Sequence, residues 1–499
     1  MTHTTLSILG NTTHDWLRNI NVAYVPGPGA SDDDSIVQGL LKHFRLLGHG
    51  VQETPTDDTD VILTTSRFGE PLTWRESLLF TGRKKFKLNH TPTIYTVVKI
   101  KKRQLQDLIA RFERILQKAP PDPSDYDFSG LAPQAYRTLF EQGRRGGPIL
   151  AVERLLQGWT KSIHILLVVG EDRPEMAYHF DLVGAYPKSE ANDLDALYQD
   201  IVLRICTTLS THEVTQHAFE EPAIPHSVWA KLDTPKAMTV AAQALGRRDF
   251  FTEMAVISNF VHVPAVTEGV ASQYSEGCFA TWDPALGALI ATVTGSARPV
   301  DKGNITEDDL AVLVGVREGG VGAWVRKVEG KRNDPPSSES VEMMDMDSRL
   351  PRVNLDSGWN VSTSVPVIRS KLHGHRSIAA FDPERVEFVP LDDAYYHYLV
   401  ACATEAQARG IKAAFARSEA LQNPNDLRQI VFTLLPGHGT LLVEKWVPGN
   451  APFQLLWEAM DAGTVEVTSR IPQGPLSYIA GANGRRVLSE DSGGAADIH

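Results

Sequence analysis

Cysteine is nearly absent. The 499 residues hold three, Cys206, Cys278 and Cys402, far apart and in no Cys-x-x-Cys or Cys/His spacing. That excludes a disulfide framework and a zinc site built on cysteine pairs, and it fits a reducing cytoplasm. Long apolar runs are missing too, and Met1 to Thr13 lacks the basic start and apolar centre of an export signal. The expectation is a cytoplasmic chain that neither spans nor enters a membrane. Positive charge is short, with 49 basic residues against 61 acidic ones and a formal charge of −12. Such a balance speaks against a general nucleic-acid or anionic-membrane surface. No dinucleotide fingerprint of spaced glycines follows the first strand, and no repeat of solenoid period is visible.

What remains is an ordinary globular composition, 42% hydrophobic and 22% charged, on a chain long enough for two to four domains. Residues 20–25, 60–65 and 92–98 read as strands with helical stretches between them, the first helix running from Ile36 to Leu47 behind the aspartates of Ser31-Asp32-Asp33-Asp34. Strand, helix, strand at this spacing implies a parallel sheet with helices on its faces. Further helices are expected over 105–118, 149–159 and 193–208, with a helix pair over 228–245, and buried strands at 162–169, 178–186 and 310–316. From Pro351 the character changes to short alternating runs separated by turn residues, with one helix between Asp392 and Arg417. The fold class is therefore α/β, with parallel-sheet N-terminal and middle domains and a β-rich C-terminal domain. The expected boundaries are 1–118, 130–340 and 351–488, with 489–499 a disordered tail.

The turn Pro26-Gly27-Pro28-Gly29 is rejected as a nucleotide loop, because its prolines remove donors and three aspartates follow. The run Gly82-Arg83-Lys84-Lys85-Phe86-Lys87 is the one basic cluster and is taken as a solvated helix face.

Candidate chemistry concentrates in a few carboxylates and histidines. The stretch Ser275-Glu276-Gly277 to Asp283-Pro284-Ala285-Leu286-Gly287-Ala288-Leu289 is read as two acids before a small-residue helix, with Asp283 and Pro284 in the positions that cap and start one. Glu253 lies within an apolar segment, where a carboxylate must be paired or must ligate something. His438 sits in a glycine-flanked turn, Pro436-Gly437-His438-Gly439, between two apolar runs. Lys371-Leu372-His373-Gly374-His375-Arg376 is a polar turn whose His-x-His pair would share a face if it were a strand, an arrangement that suits a metal or an anion. Glu253, Glu276, Asp283 and one histidine would make an oxygen-rich set, which favours manganese or magnesium over zinc or copper.

The segment Glu276-Gly277 with Asp283, Pro284-Ala285-Leu286-Gly287-Ala288-Leu289 and Thr294-Gly295-Ser296-Ala297-Arg298-Pro299 resembles the L-fucose isomerase-like sugar isomerases, and the turn at Pro436-Gly437-His438 is similar to the late histidine of their metal site. The resemblance implies a cytoplasmic, homo-oligomeric aldose–ketose isomerase that takes a small carbohydrate and a divalent metal, manganese favoured. It implies Glu253 and Glu276 as the proton-transfer acids, and Glu253, Glu276, Asp283 and His438 as the metal ligands. Lys371, His375 and Arg376 are assigned to the substrate hydroxyls from their polarity. Where that family has a histidine-containing loop after the strand ending at Val316, this chain has Arg317-Glu318-Gly319-Gly320. The alternative is a non-catalytic carbohydrate- or metabolite-binding protein of the same fold.

Overall fold

A computed structural model describes residues 19–30, 34–73, 75–118, 125, 128, 133–181, 185–211, 217–248, 250–251, 277–294, 301–317, 322–345, 368–392, 395, 405–423, 425–468 and 476–490. The architecture is mixed α/β, with a seven-stranded mostly parallel sheet, a nine-stranded mixed sheet and a separate four-stranded antiparallel sheet.

The first sheet contains β1 (Asn21–Val25), β2 (Gly50–Gln52), β3 (Val61–Arg67), β4 (Thr93–Ile100), β5 (His164–Val169), β6 (Met176–Phe180) and β7 (Ala185–Glu190) in the order β2-β1-β3-β4-β5-β6-β7. The first five are parallel and the last two antiparallel. Runs such as Val61-Ile62-Leu63 are apolar without alternation because helices cover both faces. On one face α1 (Ser35–Leu46) and α5 (Leu194–Thr211) bury Leu40, Phe44 and Ile201 against Val22, Leu63 and Val97. On the other, α3 (Lys102–Gln117) and α4 (Pro133–Thr160) bury Phe112 and Leu155 against Val98, Ile165 and Leu167. Between them in sequence, α2 (Leu78–Phe86) packs its Leu78 and Phe86 on Val25, Ile62 and Ile94. Asp34 caps α1 by accepting the Ile36 and Val37 N–H groups at 3.1 and 3.2 Å, as the aspartate run leads one to expect. Within α4, Gly147 (φ +78°) breaks the helix before Pro148, and beyond the break Glu153, Arg154 and Gln157 are buried beside one another.

The second sheet is built from β8 (Ala218–Ile224), β9 (Cys278–Asp283), β10 (Ala288–Thr292), β11 (Leu310–Val316), β12 (Ala323–Val328) and β13 (Ile368–Gly374), with three later strands. Its order is β15-β16-β17-β13-β9-β10-β11-β12-β8, where β15 is Val386–Phe388, β16 Ile430–Leu435 and β17 Gly439–Lys445. The small sheet joins β14 (Ser377–Phe381), β18 (Val465–Thr468), β19 (Leu476–Ala480) and β20 (Arg486–Glu490). Packed around these sheets are α6 (Asp233–Gly246), α7 (Ser340–Asp345), α8 (Glu405–Ala416) and α9 (Gln454–Asp461). The first sheet thus draws strands from both sides of residues 118–130, and the second runs from Ala218 to Lys445.

Two expectations are overturned. Residues 178–186 are not one strand, since β6 ends at Phe180 and β7, paired antiparallel to it, begins at Ala185. Pro284–Leu289 is not a helix but the turn and start of a hairpin in which β9 pairs β10 antiparallel. The Asp283 carboxylate accepts the Leu286 N–H at 2.8 Å, its carbonyl accepts the Gly287 N–H at 2.8 Å, and Gly287 takes φ +60°. Every residue of β9 and β10 is buried, so the small apolar residues carry no alternation and imitate a close-packed helix. Among the described residues no helix is long and apolar enough to cross a membrane.

Candidate metal centre

Strand β13 lies in the middle of the nine-stranded sheet, between β17 and β9. Alternation puts Lys371 and His373 on one face. The chain leaves the strand through Gly374 and delivers His375 before turning into β14. From the neighbouring hairpin, the tight turn between β16 and β17 brings up His438. That turn depends on Gly437 (φ +65°) and above all on Gly439 (φ +148°), where a Cβ would stand 2.1 Å from the Gly374 carbonyl oxygen and 2.8 Å from the His375 Cα. Only glycine allows two backbones so close. As a result the His438 Nε2 lies 3.0 Å from the His373 Nε2 and 3.2 Å from the His375 Nε2.

The three rings are nearly sealed from solvent, with exposures of 0% for His373, 9% for His375 and 2% for His438. Burial, and next the proximity of His373 and His375, push the His438 pKa well below its ordinary value. Its ring is therefore neutral at pH 7, the form that ligates metals. The spacing also fits. An ion about 2.1 Å from each nitrogen would see the two measured pairs at angles of roughly 91° and 99°, between the octahedral and tetrahedral values. Among the described residues these three form the group of side chains able to hold an ion together.

Around the triad the same face of the sheet is unusually polar for an interior. Cys278 of β9 is the register partner of His373. Its thiol is hydrogen-bonded to Glu339 and lies 3.9 Å from the Met343 Sδ, and burial raises its pKa well above the ordinary value. Glu339 precedes α7, whose first turn roofs this part of the sheet. Burial works to raise the Glu339 carboxyl, but His373, its own backbone N–H, His375 and Lys302 outweigh it and hold the group below its usual range. Lys302 is buried, donates to the Val293 carbonyl and lies 3.3 Å from the Ser337 hydroxyl. A carboxylate kept ionised beside three imidazoles and a buried lysine makes a site able to bind a cation.

The expected site residues fall out unevenly. His438, expected as a metal ligand, and His375, expected at the substrate hydroxyls, are both members of the triad. Lys371 is fully buried and donates to the Met343 carbonyl, which ties β13 to α7. Arg376 offers its backbone carbonyl to the Thr440 hydroxyl at 2.6 Å, and its side chain is half-buried. Asp283 closes the hairpin turn at the far end of β9, five residues from Cys278 and thus about 17 Å away along the strand. It is not brought to the triad. Glu253 and Glu276 lie outside the described residues, and with them the oxygen-rich set from which manganese is favoured. His373, read with His375 as a pair that suits a metal or an anion but assigned no role, and Glu339, not singled out, are the residues missed. The signal for His373 was present, since the apolar run Val365-Pro366-Val367-Ile368 continues as Ser370-x-Leu372 straight into the His-x-His pair.

Compared with known proteins, the chain matches no family model, no curated protein and no solved structure.

Proposed function

We propose that His373, His375 and His438 hold a divalent transition-metal ion and that the chain is a metal-dependent enzyme acting on a small oxygen-rich molecule. The observation that carries this reading is the convergence of three buried imidazole nitrogens, 3.0 and 3.2 Å apart, beside an ionised carboxylate. Three imidazoles favour zinc, iron, cobalt or nickel over manganese. With three imidazoles holding the ion, a hydroxy-carbonyl compound would supply two neighbouring oxygens to it, and Glu339 would stand beside them as the proton acceptor.

That arrangement supports aldose–ketose isomerisation, the activity which the resemblance to L-fucose isomerase-like enzymes implies. A bound divalent ion supplies Lewis-acid polarisation of the carbonyl. Glu339 takes the proton from the hydroxyl-bearing carbon and returns it to the adjacent one through an enediol. His438, neutral through burial, keeps a lone pair for the ion. Glu276, two residues before Cys278 in the chain, is the second acid for this chemistry. Buried, reduced Cys206 and Cys278 are in keeping with a cytoplasmic enzyme.

The test is metal analysis of the purified protein, followed by melting curves of chelator-treated protein with zinc, iron(II), cobalt, nickel and manganese added singly. An ion held only by the folded state raises the melting temperature by mass action. The increase is expected with an imidazole-preferring ion in wild type and absent in His438→Asn and His373→Asn. No response to any ion sinks the metal centre. A response without turnover of any aldose in a sugar panel leaves the ion and removes the isomerase.

A further inference from the structure

The seven-stranded sheet holds a second site, independent of the histidine triad. Its chain order reverses between β1 and β3, because β1 is followed by β2 on one side and by β3 on the other. In open α/β sheets ligands sit outside the carboxyl ends of the strands at such a reversal. A cavity of about 420 Å³ opens where the loop after β1 leaves the sheet and extends from there across the face of β3 and the first half of β4 to the residues that precede β5; its volume is within the size range of small-molecule sites. The loop after β1 shapes one wall. Gly27 donates to the Thr65 Oγ1 at 3.2 Å, and a Cβ on it would lie 1.8 Å from the Thr65 carbonyl oxygen, so the loop is pressed onto β3. Leu78, Thr81 and Lys85, at helical spacing, present one face of α2 as the opposite wall, and the capping residue Ser77 brings the N-terminal turn of that helix to the cavity.

The lining chemistry is one-sided. Arg75, Lys85 and Lys161 contribute three cations. The one lining acid, Glu76, is engaged, accepting from the Thr73 N–H and hydroxyl at 2.7 Å each. Hydroxyls floor the cavity. Thr64, Thr65 and Thr96 are buried there, and the Thr160 hydroxyl, 4% exposed, has no hydrogen-bond partner among the described residues. A buried hydroxyl left so costs free energy until a ligand supplies the bond.

We propose that this cavity binds a small phosphorylated metabolite, a sugar- or nucleoside-sized monoester. Its phosphate is received by Lys85, Lys161 and Arg75, and its hydroxylated body by Thr160 and the strand threonines. Three cations, beside the positive end of the α2 dipole, favour a dianion. The volume suits a monophosphate and not a dinucleotide, in keeping with the lack of spaced glycines. The basic run on α2, taken from sequence as a solvated face, gains a role through Lys85.

Calorimetric titration of the full chain with ribose 5-phosphate, ribose and inorganic phosphate tests this. Ribose 5-phosphate is expected to bind, inorganic phosphate more weakly, and ribose not measurably. Lys85→Met, at an exposed position, and Thr160→Val, which removes a hydroxyl with no protein partner, are each expected to weaken ribose 5-phosphate about tenfold while the melting temperature of the unliganded protein is kept. Failure of ribose 5-phosphate to bind, binding of inorganic phosphate alone, or wild-type affinity in both variants would overturn the assignment.

Discussion

Glu153 is the residue whose replacement should most clearly separate two electrostatic accounts. It is fully buried in α4, in contact with the Arg154 guanidinium and 3.4 Å from the Gln157 amide nitrogen. An ion pair would hold its carboxyl low. Burial, the larger effect, raises it from 4.5 to about 8, with Arg154 opposing and Asp181 assisting. At neutral pH the folded protein therefore carries the acid form. Below pH 4.5 both folded and unfolded chains hold the proton and the group contributes nothing to the pH dependence. Between 4.5 and 8 only the folded chain holds it, so stability falls as pH rises, by an amount on the order of several kcal/mol in total. Glu153→Gln imitates the acid form and removes the dependence. Urea unfolding followed by tryptophan fluorescence should find the variant within about 1 kcal/mol of wild type at pH 5 and more stable by about 3–5 kcal/mol at pH 9. Parallel curves, or a variant weaker at pH 9, would refute the reasoning and establish the Arg154 ion pair as net stabilising.

Other replacements probe the second sheet. Glu444 accepts the Phe453 N–H at 2.6 Å on one oxygen and the Leu455 N–H at 2.8 Å on the other. Glu444→Gln must therefore turn an amide NH₂ toward a donor and should cost about 2–3 kcal/mol in chemical denaturation, the opposite sign to Glu153→Gln. Gly439→Ala sets a Cβ against the Gly374 carbonyl and should lose about 3 kcal/mol or more, together with any ion-induced rise in melting temperature. Asp283→Ala removes the acceptor of the Leu286 N–H and should cost about 1 kcal/mol, yet leave the metal response unchanged. Loss of that response would return Asp283 to the site. Acidification below about pH 6.5 should weaken the fold through His438, since the unfolded imidazole takes a proton there that the buried ring refuses; His438→Asn should flatten this part of the stability profile.

Legibility followed the physics of each segment. The strands β1, β3, β4 and β5 and the helices 35–46, 102–117 and 194–211 were visible because burial on one helical face, or on both faces of a strand, leaves a strong pattern, whereas the short edge strand β2 was not foreseen. The pair of helices expected over 228–245 is found as His226–Trp229 and Asp233–Gly246. The hairpin of β9 and β10 was not visible, since Ala280, Ala288 and Ala291 fit either state and only long-range pairing decides. At the site, His438 was found through its glycines, which report a close backbone approach. His373 was seen as half of the His-x-His pair but given no role, because its partner His438 stands 65 residues away in the chain, and Glu339 escaped because a carboxylate held by folding alone leaves no local pattern.

The position of the triad across β13 and β17 has a consequence for how the chain is held together. An ion joining His373 to His438 is a cross-link that closes a loop of 65 residues, and such closures stabilise chiefly by restricting the unfolded ensemble. It also fixes alignment. Sliding β13 by one residue against β17 would turn His373 through the sheet and bring Leu372 to the ion. An interior strand of the larger sheet would therefore be proofread by metal: only the pairing that sets His373 opposite Leu441 could be locked.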